Sequence, residues 1–570
     1  MKSALRKSRR DVEALLVVPL LALLPLQVAC PATAPACAVE VAEANVADLQ
    51  LGMTQENFTS QDLVRAYLDR IERYEPLLHA AIALNPNALA EADALDRERK
   101  AGRVRGPLHG VPIALKDNIL AHGMPTTGGA LAFAGYVAPY EATLTARLRE
   151  AGAVIIAKTS LTELASWVGL SMPGGYSAVG GYSLNPYDPR PDPRATDGRP
   201  ALSPAGSSSG VGTAASLWAA SVGTETSGSI LSPSGATLLV GIKPTVGRIS
   251  RHGVIPLTAD QDTPGPMART VADAAILLGA MEGGDRNDPA TAACRDEPAH
   301  DYRPHLKLDG LKGARIGIPR AFFFDPVTPP GASAPAGGLN PAQVALVTEA
   351  IAVLKEQGVV IVDPADIPSV LDPDPEKNFV RWNSICVGPK SAGERNCSTV
   401  LKYGFKRDFN AFLKSLGAGA PVKSLTELRA FNIAHASRGA MRHGQSQLDN
   451  SDEMDAIADR ARYETDRKRD LYLSRAHGLD EAIKSHRLDA LLMPGGTGGI
   501  GSRAGYPTVQ VPIGFIPVNA DPPFPQGFDA RPQPYGIGFT GLACTEGRLI
   551  ELAFAFEQAT RRRVPPAATP

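Results

Sequence analysis

A lysine at the end of an apolar run is the first residue whose position could support chemistry. Lys116 follows residues 110–115 (GVPIAL), a run typical of a buried strand. An ammonium group buried there loses its hydration, which lowers its pKa, and a neutral lysine can act as a base. An isolated lysine at a strand end more often reaches water along its flexible stem. Lys116 therefore indicates a base only if reacting partners exist elsewhere in the chain.

Two runs of glycine and hydroxyl-bearing residues supply candidate partners. Residues 205–210 (AGSSSG) contain Ser207 and Ser208, and residues 223–230 (GTETSGSI) contain Ser229. In such runs consecutive backbone N–H groups can converge on an anion, as an oxyanion hole requires. Either run by itself is more often a flexible Ser/Gly loop.

The three stretches together resemble the hallmark segments of the amidase signature family. They are GVPIALKDN, AGSSSGVGTAA and GTETSGSILSPSGATLLVGIKPTVGRISR, in the family's order. Flanking segments, including DQDTPGPMARTVADAAILL and GFTGLACTEGRLIELAFAFEQAT, extend the resemblance from about Val46 to near the end of the chain. Within the family, the residues of these segments are most similar to those of the bacterial peptide amidase and amidase branch. The resemblance implies an α/β fold: one large domain with a mixed β-sheet core, helices on both faces and surface insertions.

The resemblance also implies roles for individual residues. Ser229 matches the nucleophile, Ser207 matches a bridging serine held by a cis peptide bond, and Lys116 matches the neutral base of a Ser-cisSer-Lys triad. Backbone N–H groups of four consecutive residues would hold the oxyanion: Thr226, Ser227, Gly228 and Ser229. Three further residues would support the triad: Asp117, Ser208 and Glu225. The implied substrate is a small-molecule or peptide amide, cut through an acyl-enzyme without a metal or cofactor.

The spacing of the two serines departs from the family pattern. Ser207 and Ser229 are 22 residues apart, about two fewer than is typical of the family. The shortening falls at residues 217–219, which we expect to be helical. A periplasmic amide-binding protein with impaired catalysis therefore stays open as an alternative. A second alternative is the A-type subunit of a glutamyl-tRNA amidotransferase, which needs partner subunits.

Other candidate residues have simpler interpretations. Gly206-x-Ser208-x-Gly210 fits the nucleophile-elbow pattern, but no buried strand precedes it. The histidines available to a serine-histidine-acid site lie among polar residues, as solvated surface histidines do: His435, His443, His477 and His486. Structural roles are expected for Lys158 and Lys243, and hydrogen-bond anchoring for Glu225 and Asp262. Asp117 would either tune Lys116 or cap the next turn.

The beginning of the chain has the layout of a secretory signal peptide. Basic residues precede an apolar stretch at 14–29, which Pro19 and Pro25 interrupt, and residues 36–38 offer a small-x-small cleavage site. The stretch is short for a membrane span. We therefore expect residues 1–38 to be removed, leaving a periplasmic or secreted protein without a stable membrane span. Lipidation at Cys30 is the less favoured alternative, because Gln27 stands where such sites usually carry Leu.

Composition excludes some classes of protein. Lys+Arg 58 against Asp+Glu 59 gives no basic excess, so nothing indicates a nucleic-acid partner. The six cysteines lack the spacing of a zinc site. Cys386 and Cys397 either close a short loop in an oxidising compartment or remain buried thiols. The oligomeric state and the identity of the amide are not determined by the sequence.

Hydrophobic patterns predict the elements that position these residues. An apolar stripe from Leu63 to Ile71, with capping residues before it, predicts a helix. Buried strands are predicted at residues 153–157, 315–318, 359–362 and 490–493. Loops are predicted at 182–204 and 325–338, and a polar helical region, either a cap over the sheet or outer helices, at about 371–475. The domain would comprise residues 39–563, followed by a disordered tail at 564–570.

Overall fold

The computed structural model describes residues 39–205, 209–295, 301–394, 396–496 and 499–570. The expected signal segment with Cys30, and both Ser207 and Ser208, lie outside the described residues. Val39–Pro570 forms one compact unit.

A mixed β-sheet lies at the centre of this unit. Its strands are β1 (Ala81–Leu84), β2 (Pro112–Lys116), β3 (Val154–Thr159), β6 (Ala220–Glu225), β7 (Val240–Lys243), β8 (Thr263–Ala268), β9 (Arg315–Gly317), β10 (Val360–Val362), β11 (Ala490–Pro494), β12 (Thr508–Ile516) and β13 (Gln533–Thr540). They are ordered β1-β3-β2-β6-β8-β7-β12-β13-β11-β9-β10 across the described part of the sheet. A separate pair consists of β4 (Tyr176–Ser177) and β5 (Gly181–Tyr182). The four strands predicted from apolar runs are confirmed as β3, β9, β10 and β11.

Helices flank the sheet. They are α1 (Val46–Thr54), α2 (Ser60–Leu78), α3 (Ala88–Lys100), α4 (Thr143–Glu150), α5 (Ser209–Ala214), α6 (Leu231–Ala236), α7 (Val271–Met281), α8 (Pro341–Glu356), α9 (Pro368–Leu371), α10 (Phe379–Trp382), α11 (Val400–Ser415), α12 (Leu425–Ala434), α13 (Ser446–Asp452), α14 (Arg460–Leu471), α15 (Asp480–His486), α16 (Ile500–Ala504) and α17 (Glu546–Thr560). A π-helical segment, Tyr472–Leu479, joins α14 to α15. Within the described residues, every helix is too short or too polar to cross a lipid bilayer.

The predicted helix after residue 59 is confirmed as α2, and its local chemistry explains where it begins. Thr59 accepts a hydrogen bond from the backbone N–H of Asp62, whose carboxylate accepts one from the backbone N–H of Thr59. This reciprocal capping box satisfies two N–H groups that a helix start leaves unpaired. Leu63, Val64 and Ile71 of the predicted stripe are buried in the core.

The polar region at 371–475 is helical, as predicted, and its described part contains no strand. It includes α10 to α14 and the loop that the Cys386–Cys397 disulfide closes, with Cα atoms 5.0 Å apart. The short-loop alternative for these two cysteines is therefore the one that the structure adopts. A second disulfide joins Cys294 to Cys544, 250 residues apart; no local spacing could have indicated it.

The expected helix at 217–219 is wrong. α5 ends at Ala214, Ser216 adopts a positive φ of 54°, and residues 217–219 form a bend that leads into β6. The buried Trp218 indole donates a hydrogen bond to the hydroxyl of Thr213 at 2.8 Å. This contact lies within the turn between α5 and β6, so residues 217–219 lead into the strand and do not continue the helix.

Two other segments are better anchored than their composition suggests. The 182–204 segment is irregular, as predicted, yet Tyr187 and Leu202 are buried against Ile230 and Leu238. In the tail at 564–570, the Arg70 guanidinium donates hydrogen bonds to the backbone carbonyls of Thr569 and Pro570. Such side chain to backbone contacts leave no hydrophobic period in the sequence.

Candidate active site

Lys116 is the last residue of β2 and is fully buried. Since β2 pairs in parallel with both β3 and β6, the carboxyl ends of the three strands meet at one edge of the sheet. The Lys116 ammonium donates a hydrogen bond to the backbone carbonyl of Thr224 in β6 at 3.1 Å. Burial lowers the pKa of Lys116 to about 8, although the nearby carboxylates of Asp262 and Glu225 act in the opposite direction. A substantial fraction of Lys116 is therefore neutral at mildly alkaline pH.

The loop that carries Ser229 follows β6 directly. β6 ends at Glu225, and the loop runs to Ile230 before α6 begins. Gly228 has a φ of 90°, in the left-handed region that favours glycine. One carboxylate oxygen of Glu225 accepts hydrogen bonds from the backbone N–H groups of Ile230 (2.8 Å) and Leu231 (3.0 Å). Glu225 thus acts as the predicted anchor and ties both ends of the loop together.

The backbone N–H groups expected to bind an oxyanion lie in this loop. Those of Thr226, Ser227, Gly228 and Ser229 make no hydrogen bond to another described residue. Ser227 is exposed, and Ser229 is half-buried. The arrangement leaves these donors available to a bound anion or water.

Asp262 anchors the same loop from the neighbouring segment. Its carboxylate is buried and accepts hydrogen bonds from the hydroxyl of Thr226 and from the backbone N–H groups of Leu257 (2.7 Å) and Thr258 (2.9 Å). Burial raises the pKa of Asp262 to about 7, even though these hydrogen bonds favour the ionised form. The predicted role of Asp262 as an internal anchor is confirmed.

The Asp117 carboxylate makes its contacts with Lys158 and Thr127 rather than with Lys116. It forms a buried ion pair with Lys158 at 3.0 Å and accepts the backbone N–H of Thr127 at 3.0 Å. Asp117 therefore links the end of β2 to Thr127 and Lys158, and Lys158 has the structural role predicted for it. Lys243 is also buried; its ammonium donates to the carbonyl of Pro244, and burial lowers its pKa to about 8.

Sequence reasoning did not single out Asn118. Its amide nitrogen donates to the hydroxyl of Thr224 at 3.0 Å and to the carbonyl of Ile255 at 3.3 Å. The residue lies two positions after Lys116, and a polar residue so close to a buried strand end was the available signal. Asn118 therefore connects the segment of Lys116 to β6 and to the 251–257 loop.

Two cavities adjoin the loop that carries Ser229. One, of about 240 Å³, is lined by Thr224 and Thr226 and otherwise mainly by the 251–264 segment and α11. The other, of about 50 Å³, is lined by Ser227 and Gln261 together with residues that include Ser398, Asp470 and Arg503. α11 therefore forms part of the wall of the larger cavity.

The four histidines of the rival serine-histidine-acid interpretation do not line either cavity. Each is half-buried near the surface. His477, for example, lies between the carboxylates of Asp372 and Glu481. Among the described residues, His, Cys, Asp and Glu form no group of three or more that could hold a metal ion.

Comparison with known proteins identifies the family. The amidase family model matches residues 62–375. The structure is similar to the peptide amidase of Stenotrophomonas maltophilia, with a TM-score of 0.77, 38% identity and coverage of 93% of this chain and 99% of that one. It is also similar to an amidase family protein of Bacillus anthracis, with a TM-score of 0.76, 30% identity and 92% of both chains covered.

A curated relative that is an amidotransferase subunit also aligns over most of the chain. This relative, the A-type subunit of the glutamyl-tRNA(Gln) amidotransferase from Gloeobacter violaceus, is 32% identical over 549 residues, which cover 92% of this chain and 98% of the relative. The mixed sheet flanked by helices and the matched family model agree with the motifs in the sequence. The chain belongs to the amidase signature family, whose hydrolases act on carbon-nitrogen bonds.

Proposed function

We propose that this protein is an amidase that hydrolyses linear amides through an acyl-enzyme, with Ser229 as nucleophile, Ser207 as bridging serine and Lys116 as base. The observation that carries the proposal is the position of Lys116. A fully buried lysine with a pKa of about 8 is hydrogen-bonded to Thr224, on the strand that leads directly to Ser229. A base should have a pKa near the operating pH.

The proposed reaction assigns one step to each of these residues. Neutral Lys116 takes the Ser229 proton by way of Ser207 while the Ser229 oxygen bonds to the amide carbon. The carbonyl oxygen becomes an oxyanion held by backbone N–H groups of residues 226–229, each worth about 3 kcal/mol when well placed. The proton passes to the leaving nitrogen as the carbon-nitrogen bond breaks. Water then releases the acid and restores Ser229.

Two comparisons support a small-molecule or peptide amide as substrate. The relative from Stenotrophomonas maltophilia is a peptide amidase, and a related structure holds that peptide amidase with the competitive inhibitor chymostatin. Because the chain also resembles the A-type subunit of a glutamyl-tRNA(Gln) amidotransferase, amide transfer on glutamyl-tRNA is the second candidate reaction.

We also propose that the protein is exported after removal of residues 1–38. The signal-like sequence and the two disulfides, Cys294–Cys544 and Cys386–Cys397, support an oxidising compartment. The N-terminal residue of protein recovered from the periplasm or medium tests this; retention of Met1 in cytoplasmic protein would contradict it.

The test of the activity is ammonia release from a panel of primary amides by the purified chain alone. Ser229→Ala should abolish release, whereas Ser232→Ala, an exposed serine in the adjoining helix, should leave it within about twofold. Release by the chain without other subunits or tRNA supports hydrolysis over amide transfer. A folded protein that binds these amides without releasing ammonia would instead be the binding protein considered from the sequence.

A further inference from the structure

The larger cavity is attached to the catalytic elements at two points. On one side, Asn118 holds Ile255 through its amide, and the backbone N–H of Ile255 donates to the carbonyl of Asn118 at 2.7 Å. On the other side, Asp262 holds Leu257 and the hydroxyl of Thr226. The cavity wall at 253–258 is therefore fixed relative to both Lys116 and the Ser229 loop.

Cavity size restricts where a bulky group of the substrate can lie. A cavity of about 150 Å³ with apolar walls holds benzene, so the cavity of about 240 Å³ has room for a benzyl or branched aliphatic group. The cavity of about 50 Å³ beside Ser227 has room for only a few water-sized atoms. Of the two cavities that adjoin the loop, the larger is the one that can take such a group.

The lining indicates an uncharged occupant. Apolar side chains and one aromatic stack form much of the wall: Val254, Ile255, Leu257, Phe412 and the Tyr140–His252 pair, whose rings lie 5.1 Å apart. The charged lining residues already have partners within the protein. Arg251 forms a close pair with Asp288, and Asp408 pairs with Arg407. The remaining carboxylate, Asp262, accepts three hydrogen bonds. A charged substrate group would lose its hydration without gaining a free counter-ion.

We propose that this cavity is the specificity pocket for primary amides, whose leaving group is ammonia, and that the preferred substrates are those whose acyl part carries an uncharged aromatic or branched aliphatic side chain. The inference rests on the proposed amidase function and adds the substrate class. Burial of such a side chain against apolar walls favours binding roughly in proportion to the apolar area removed from water.

The test compares three amides that differ only in the side chain beside the carbonyl: N-acetylphenylalaninamide, N-acetylglycinamide and N-acetylglutamic acid amide. For the wild-type protein, kcat/KM for the phenylalanine compound should exceed that of the other two by about tenfold or more. Two variants fill the cavity, Ala165→Trp and Ala411→Trp, since both alanines line it. Lys414→Trp, at an exposed position on α11 outside the lining, is the matched control.

Each filled variant should lose at least about tenfold in kcat/KM with the phenylalanine compound and stay within about twofold of wild type with the glycine compound. Equal rates of the wild-type protein on the three amides would overturn the pocket assignment but leave the amidase function standing, as would equal losses of each filled variant on the phenylalanine and glycine compounds. Absence of hydrolysis of all three amides by the folded wild-type protein would count against the proposed function itself.

Discussion

At the scale of single residues, Lys116 shows how burial changes the pKa of an ordinary side chain. The sequence placed it at the end of an apolar run, and the structure buries it completely beside the Thr224 carbonyl. Asp117 is adjacent in the chain, yet its carboxylate pairs with Lys158. Burial therefore lowers the pKa of Lys116, and Asp117 does not form an ion pair with Lys116 that would oppose this effect.

The burial of Lys116 predicts that the rate of the wild-type protein depends on pH. It also predicts that replacing Lys116 by an apolar residue raises the free energy of unfolding. Wild-type kcat/KM should rise with pH through about 8 and then level off, as Lys116 becomes neutral. Lys116→Met should lower it by about a thousandfold or more. The same variant should unfold at higher urea concentration at pH 7, because it removes a buried ammonium, a gain of about 1–3 kcal/mol in the free energy of unfolding.

The direction in which pH changes the stability follows from the protonation of Lys116 in the folded and in the unfolded protein. The pKa of Lys116 is about 8 in the folded protein and 10.5 as an ordinary lysine. Below pH 8 both states carry the proton, so the cost of burial is fully present. Between about 8 and 10.5 the unfolded state binds more protons, so the stability of the wild-type protein rises with pH and the advantage of the variant shrinks. Lys484→Met, at an exposed position, is the control; a stabilising effect that persists unchanged at pH 10.5 would contradict this account.

At the scale of elements, the connection from β6 to α6 positions Ser229, the proposed nucleophile. Glu225 closes the strand, and its carboxylate binds the N–H groups of Ile230 and Leu231 across the Ser229 loop. A loop rich in glycine and serine is flexible by composition. Here one buried side chain fixes its ends.

Two substitutions of Glu225 should therefore distinguish the effect of its hydrogen bonds to Ile230 and Leu231 from the effect of its side-chain shape. Glu225→Gln keeps a carbonyl oxygen that can accept both N–H groups and should retain kcat within about tenfold. Glu225→Leu removes the acceptor, leaves two buried N–H groups unpaired at about 1–3 kcal/mol each, and should lower kcat by about a hundredfold or more. Steady-state kinetics of both folded variants decide this; equal losses for Gln and Leu would indicate that hydrogen bonding across the loop is not the reason.

At the scale of the whole molecule, the two disulfides close loops of very different length. Cys386 and Cys397 are 11 residues apart, whereas Cys294 and Cys544 are 250 apart. The long-range bond joins the segment after α7 to the short connection between β13 and α17. In the chain-entropy account, a longer closed loop restricts the unfolded chain more.

Replacing both cysteines of a pair by serine should reveal that difference. We expect the Cys294→Ser, Cys544→Ser variant to lose about 3–5 kcal/mol in the free energy of unfolding, and the Cys386→Ser, Cys397→Ser variant about 2–3 kcal/mol. Urea unfolding under oxidising conditions measures both. A variant that lacks all four cysteines serves as control and should not respond to reductant; a larger loss from the short loop would contradict the expectation.

The sequence by itself determined the features that depend on local pattern. The apolar runs located β2, β3, β9 and β11, the capping residues located α2, and the spaced motifs identified the family and the candidate nucleophile and base. These succeed because hydrophobic periodicity and capping act between residues near each other in the chain.

Only the tertiary structure decided the contacts between distant segments. It paired Asp117 with Lys158 rather than Lys116, joined Cys294 to Cys544, held the tail at 564–570 against Arg70, and placed α11 in the wall of a cavity beside the Ser229 loop. The expected helix at 217–219 failed for the same reason, because the Trp218 indole binds back into the turn. Such contacts depend on which surfaces folding brings together, and no period or spacing along the chain records them.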